Sequence, residues 1–334
     1  MTDPAPKRPV GDWNHVSTGV LPESGRVAEL VERAHAMFRT NTDGKNSQVY
    51  PALARVPSEL FGVCVVGTSG QALAAGDADY PFAIMSVSKP FVFALLCERL
   101  GPDHLRQFIG VNATGLPFNS LAAVEQSADG RTNPMVNSGA IAVTSLTPGE
   151  SLDEQWNLLL SGLSEFAGRP LKLNEEVFES AMKTNFRNQG IADLLYSLGR
   201  LGVEPARAIE LYTLQCSLDV TARDLAVMGA TLAAGGVNPL TGQTIVDPMV
   251  CHYSLAVMAT AGLYETSGDW LYEVGLPGKS GIGGGIVTVS PGKGALGTFA
   301  PPLDAAGNSV RGQLAARFLS QHLGMDLFLS RPVR

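Results

Sequence analysis

FAIMSVSKPFVFALL, residues 82–96, puts a serine three positions before a lysine at the mouth of a run that is apolar nearly all round. If a helix opens near Ser86, positions i and i+3 share a face, so the side chains of Ser86 and Lys89 can touch. A neutral lysine can take the proton of a serine hydroxyl, and burial and the positive end of a helix both lower a lysine pKa. The same helix end leaves backbone N–H groups for a developing oxyanion. The alternative is an N-cap followed by a solvated cation, a pairing that arises by chance in many chains. The apolar flanks PFAIMS and PFVFALL oppose it, because a solvated lysine is out of place between them. PFVFALLCERLG then reads as a buried central helix that Gly101 can end.

A second stretch, GLPGKSGIGGG at residues 275–285, contains Gly-Lys-Ser and suggests a phosphate loop. That motif needs a glycine five residues before Gly278, where this chain has Glu273, so the phosphate-loop reading fails. The other reading is a Lys-Ser-Gly strand lining a cleft, with glycines 283–285 letting backbone approach a substrate closely. An early Ser-x-x-Lys and a late Lys-Ser-Gly form the paired signature of penicillin-binding and class A β-lactamase sites.

The layout between the motifs agrees with this order. FGVCVVGTSGQALAAG reads as a hairpin, and GIVTVSPGKGALGTF as a second one turning at SPGKG. Between Ser86 and about residue 275 the pattern is helical, with helices expected near 138–146, 151–166, 174–183, 187–201, 205–215, 221–234 and 249–261. Helices are also expected over 23–40 and at SVRGQLAARFLSQHL, and residues 1–22 read as an extended arm rich in Pro and Gly. The expected fold is therefore α+β. Residues 1–85 and 276–334 form an antiparallel sheet lobe flanked by helices, and 86–275 an inserted all-helical lobe. A cleft at their junction is where a site belongs.

Composition narrows the function. The 334 residues are 45% hydrophobic and 16% charged, with net charge -7 and interspersed signs, which opposes a nucleic-acid surface. Cys64, Cys97, Cys216 and Cys251 are far apart in apolar surroundings and read as free thiols in a reducing, cytoplasmic compartment. The histidines show no metal-ligand spacing, the N-terminal MTDPAPKRPVGDW lacks the apolar core of a secretory signal, and no membrane span is expected.

The segments GKNSQVYPALARV, FAIMSVSKPF, NPMVNSGAI, FRNQGIADLL, MATAGLYETSGDWLYEVGLPGKSGIGGG and LDAAGNSVRG are long and specific. Through them the chain, from about residue 25 to 325, resembles the serine-dependent glutaminases, which have a β-lactamase-like fold. The resemblance implies hydrolysis of glutamine to glutamate and ammonia through an acyl-enzyme. Ser86 matches the nucleophile, Lys89 its base, and Tyr264 a tyrosine assisting proton transfer to the leaving ammonia. The backbone N–H groups of Ser86 and Ile282 match an oxyanion hole; the family usually has Val there, and a backbone donor tolerates the change. Asn137, Asn188 and Tyr212 match substrate-contacting positions. No metal or organic cofactor is implied, the partner is a small amide, and homodimers or homotetramers are expected.

Three pocket positions depart from that pattern. Met85 stands where the family commonly has Gln or Glu, Val49 where it has Tyr, and Ala181 where it has the Glu that pairs the substrate's α-ammonium group. A buried ammonium without a carboxylate costs about 3–5 kcal/mol. Glu179 and Glu176 are poorly aligned to replace it. Pro90 removes one N–H near the helix start. A change of amide substrate, to one lacking a free ammonium, therefore stands beside glutamine. Two further classes are kept. A penicillin-interacting enzyme shares the motifs but lacks a clear Ser-Asp-Asn, and a non-catalytic binding module is opposed by the retained Ser86 and Lys89.

Overall fold

A computed structural model describes residues 20–329. The arm expected over residues 1–22 lies, up to residue 19, outside the described residues. Eight strands are present among those described: β1 (Gly62–Gly67), β2 (Ala72–Gly76), β3 (Phe82–Ala83), β4 (Lys172–Leu173), β5 (Leu218–Val220), β6 (Gly278–Ser280), β7 (Gly285–Ser290) and β8 (Gly294–Phe299).

The two hairpins form where the turn residues ask for them. Gly70, at φ 85°, closes β1 against β2, and Gly292, at φ 77°, closes β7 against β8. They join through β1 and β8, with Gly62 opposite Phe299 and Gly67 opposite Gly294, giving an antiparallel sheet in the order β2-β1-β8-β7-β6. The sheet is therefore built from both ends of the chain.

Strand β1 is buried throughout, and its alternation decides which layer each side chain joins. Val63 and Val65 face a cluster with Val27, Leu30 and Val31 of the helix Ser24–Phe38 and Ala315 and Leu319 of the helix Val310–His322. Cys64 and Val66 face the other way, into the main core. There the helix Ala222–Ala233 lies directly on the sheet. A Cβ on Gly297 of β8 would sit 1.9 Å from the Ala222 carbonyl oxygen, so only glycine permits that approach. Sequence pattern grouped this helix with the middle lobe; its contacts make it a layer of the sheet.

The remaining middle segments pack around the helix Lys89–Leu100, buried from Lys89 through Cys97. The helices Asn137–Ser145, Leu152–Ala167 and Pro248–Ala261 pack on it, and Pro205–Cys216 packs on the first two of these. Leu152–Ala167 opens on a Ser151 side chain that accepts from Glu154 N–H and ends at Gly168 in the left-handed region, as its sequence predicts. The middle stretch also holds β4 and β5, which pair with β3 in a small sheet ordered β3-β5-β4. Phe82 of β3 stacks on Phe299 of β8, ring centroids 4.0 Å apart, and thereby ties this small sheet to the large one. The turn that follows β3 carries Ser86.

Candidate active site

Strand β3 ends with Ile84 N–H donating to Leu218 O at 2.9 Å. The chain then reverses through Met85, at φ 49°, into a short 3-10 turn, Met85–Ser88, that runs straight into the helix Lys89–Leu100. Ser88 Oγ donates to Met85 O at 2.8 Å and holds the turn. Among the described residues only Met85 and Tyr264 have positive φ without being glycine, and both flank Ser86 in space. Such a conformation costs about 1–3 kcal/mol for a side-chain-bearing residue, so the surrounding packing has to enforce it. Pro90 falls in the first turn of the helix, where its missing N–H would have no intrahelical partner.

Lys89 points inward and is 2% exposed. Its Nζ donates to Asn137 Oδ1 at 2.7 Å and to Met135 O at 3.3 Å. Both acceptors are neutral, and burial pushes the Lys89 pKa down to about 7. A second lysine, Lys279 of β6, is fully buried nearby. Its Nζ donates to Ser280 O at 2.5 Å and lies 4.5 Å from the centre of the Tyr264 ring. Burial, and after it the charge of Lys89, lower its pKa well below the ordinary value. The sequence marks the Lys-Ser-Gly strand but gives Lys279 no role of its own; the motif is its only signal.

Tyr264 closes the other side. Its hydroxyl donates to Ser280 O at 3.1 Å, its ring packs on Phe118 with centroids 4.5 Å apart, and burial raises its pKa so that the phenol stays protonated. Ser86 faces that hydroxyl, at a position that favours the phenolate form. Strand β6 leads into Gly281-Ile282-Gly283, which presses on the Ser86 turn. A Cβ on Gly283 would meet Ala83 O at 2.5 Å, and one on Gly281 would meet Ile84 O at 3.0 Å and Ser86 N at 3.3 Å. The absent side chains let the backbone of Ile282 come beside Ser86, as two converging N–H donors would require.

A chain of amides extends from Lys89 along the cleft floor. Asn137 Nδ2 donates to Asn188 Oδ1 at 2.8 Å, Asn188 Nδ2 to Asn185 Oδ1 at 2.6 Å, and Asn185 Nδ2 to Thr213 Oγ1 at 3.1 Å. Tyr212 OH donates to Asn137 Oδ1 at 3.1 Å. Asn137, Asn188 and Tyr212, expected from sequence, thus lie in one network. Asn185 and Cys216 also line the cleft and were not anticipated. Asn185 looks like a helix-boundary residue and Cys216 like a core thiol, so neither carries a local signal of its place.

The cleft is narrow, with about 80 Å³ of free space. Val49, Met85 and Ala181 all line it, beside Ser86, Asn137, Asn188, Tyr212 and Ile282. Phe118 and Asn119 roof it, held by Asn137 N–H donating to Phe118 O at 2.8 Å and Arg187 Nε donating to Asn119 O at 2.6 Å.

The glutaminase family model matches residues 44–328, which takes in every residue of this site. The chain belongs to the glutaminase family. Its similarity to individual members extends over nearly its whole length. It is 66% identical to Glutaminase 2 of Yersinia pestis, covering 96% of this chain and 95% of that one. It is 50% identical to a glutaminase of Brucella canis, covering 92% and 97%. The solved structure of probable glutaminase ybaS superposes with a TM-score of 0.91 at 44% identity, over 92% of this chain and all of that one. As a glutaminase-family protein the chain has the β-lactamase-like fold that its two motifs and its sheet–helices–sheet order predicted. No helix among the described residues is long and apolar enough to cross a membrane.

Proposed function

We propose that this chain hydrolyses the side-chain amide of glutamine to glutamate and ammonia through an ester on Ser86. The observation that carries the reading is Lys89: a lysine held between neutral acceptors, with a pKa of about 7, has a large uncharged fraction to take the Ser86 proton. Ser86 Oγ adds to the amide carbon, and its proton goes to Lys89. The oxyanion is received by the N–H groups of Ser86 and Ile282. Tyr264, kept protonated by burial, gives its proton to the departing nitrogen as the C–N bond breaks, and the proton on Lys89 restores it. Water then attacks the ester by the same groups in reverse, releasing the carboxylic acid and freeing Ser86.

Purified protein releasing ammonia from L-glutamine, with Ser86→Ala lowering kcat at least about 10⁴-fold while the far-UV spectrum is unchanged, is the expected result. Equal release by the Ser86→Ala variant would overturn the mechanism. The four cysteines are unpaired and buried, which supports a reducing, cytoplasmic setting. Homo-oligomers rest on the resemblance, and the exposed Phe186, Tyr272 and Phe328 offer apolar surface for them. Light scattering on the purified chain tests that; a monomer at all concentrations counts against it.

A further inference from the structure

The charge lining the cleft is wrong for an ammonium ion. Arg187 is on its wall, Lys89 is buried behind Asn137, and no Asp or Glu lines it. The helix Glu175–Thr184 turns Val177 and Ala181 inward, and Ala181 reaches the cleft. Its carboxylates lie on other faces and are engaged, Glu176 with Arg55 and Glu179 with Lys183 at 3.3 Å, and both are largely exposed. Glu265, next to Tyr264 in the chain, is exposed and outside the lining.

Free glutamine carries a carboxylate and an ammonium at its head. The amide floor and Arg187 can receive the first. No carboxylate on the wall can pair the second, and a buried cation without a charged partner is strongly disfavoured. Beside its neutral amides and hydroxyls the wall offers apolar surface: Val49, Met85, Phe118 and Ile282. Val49, Phe118 and Ile282 also form the inner edge of a second, open groove, so a head group larger than an amine has room to continue outward. The acids of that groove, Asp43 and Asp304, are hydrogen-bonded by Asn41 and by Ala306 and Gln313 and lie outside the cleft lining.

We infer that the site is built for a glutamine whose α-nitrogen is acylated, cleaving its terminal carboxamide in preference to that of free glutamine, with Ala181 as the residue that sets the preference. This rests on the amide-hydrolase reading above and names its substrate class. Water cleaves the same C–N bond, giving a carboxylate and ammonia, and the acyl group on the α-nitrogen is untouched.

The test measures ammonia release by the full chain from L-glutamine, N-acetyl-L-glutamine and glutaramate, the five-carbon amide without the amine. We expect kcat/KM at least tenfold higher for N-acetyl-L-glutamine than for L-glutamine, with glutaramate also above L-glutamine. L-Glutamine equal to or better than the acetylated compound overturns the inference, whatever glutaramate does, and leaves the amide-hydrolase reading standing. No Ser86-dependent release from any of the three sinks both. In Ala181→Glu the order is expected to reverse, chiefly through a lower KM for L-glutamine. An unchanged ratio in the folded variant removes Ala181 from the role, and the ranking by the unmodified chain decides the preference should that variant not fold.

Discussion

Lys89 Nζ and Asn137 Oδ1 are 2.7 Å apart, and the acceptor is an uncharged amide oxygen. A carboxylate in the same place would stabilise the ammonium form and silence the base. The neutrality of this contact leaves burial free to hold the Lys89 pKa down.

For the unaltered chain, kcat/KM should fall about tenfold per pH unit below about 7, because protonated Lys89 cannot accept the Ser86 proton. Asn137→Asp should move that limb toward alkaline pH by more than about one unit, with activity recovering as pH rises. A pH–rate profile of both proteins checks the sign. An unmoved limb would assign the proton acceptor elsewhere.

Tyr264→Phe keeps the ring against Phe118 and Lys279 and removes only the hydroxyl. Loss of a general acid should lower kcat about 10²–10⁴-fold. Stability should change by only about 1 kcal/mol, the net value of one hydrogen bond to Ser280 O. Paired kinetics and urea unfolding separate the two effects; a large stability loss with near-normal kcat would make the hydroxyl structural.

Gly283→Ala places a methyl group 2.5 Å from the backbone oxygen of Ala83 and 3.2 Å from Met85 Cγ, so the strand or the turn has to shift. The expected cost is about 1–3 kcal/mol of stability. The larger effect should be on kcat, since the shift separates Ile282 N–H from the Ser86 turn. Steady-state kinetics showing only a KM change would argue against that placement.

Phe82→Ala removes the ring that stacks on Phe299 and joins β3 to the large sheet. Such a truncation costs about 3–5 kcal/mol. Denaturant unfolding should show it as a lower midpoint at unchanged slope, and activity should fall at temperatures where the native fold persists, because the Ser86 turn is anchored through β3.

How much of this was legible beforehand follows from how local each signal is. The helices and both hairpins announce themselves by period and turn residues, and Ser86 with Lys89 by a spacing that a helix start converts into contact. Strands β3, β4 and β5 are two or three residues long, too short for a period, and their partners lie far away in the chain: Phe82 pairs with Val220, and Lys172 with Asp219. Ala222–Ala233 shows an apolar stripe without saying which layer it will cover. Asn185 enters the amide chain only because Asn188, one turn later on the next helix, points back at it. The apolar pocket positions Val49, Met85 and Ala181 were visible as departures from a pattern, and all three line the cleft.

The pairing of Gly62 with Phe299 also sets a schedule for synthesis. At about 5–20 residues per second, the ribosome needs on the order of 10–50 s to deliver β8 after β1 has been made. Throughout that interval the β1 edge is unpaired and Ser86 has no Ile282 beside it. The cleft beside Ser86 stays incomplete for as long, and the hairpin Gly62–Gly76 must be kept from pairing with other nascent chains until the last third of the protein arrives.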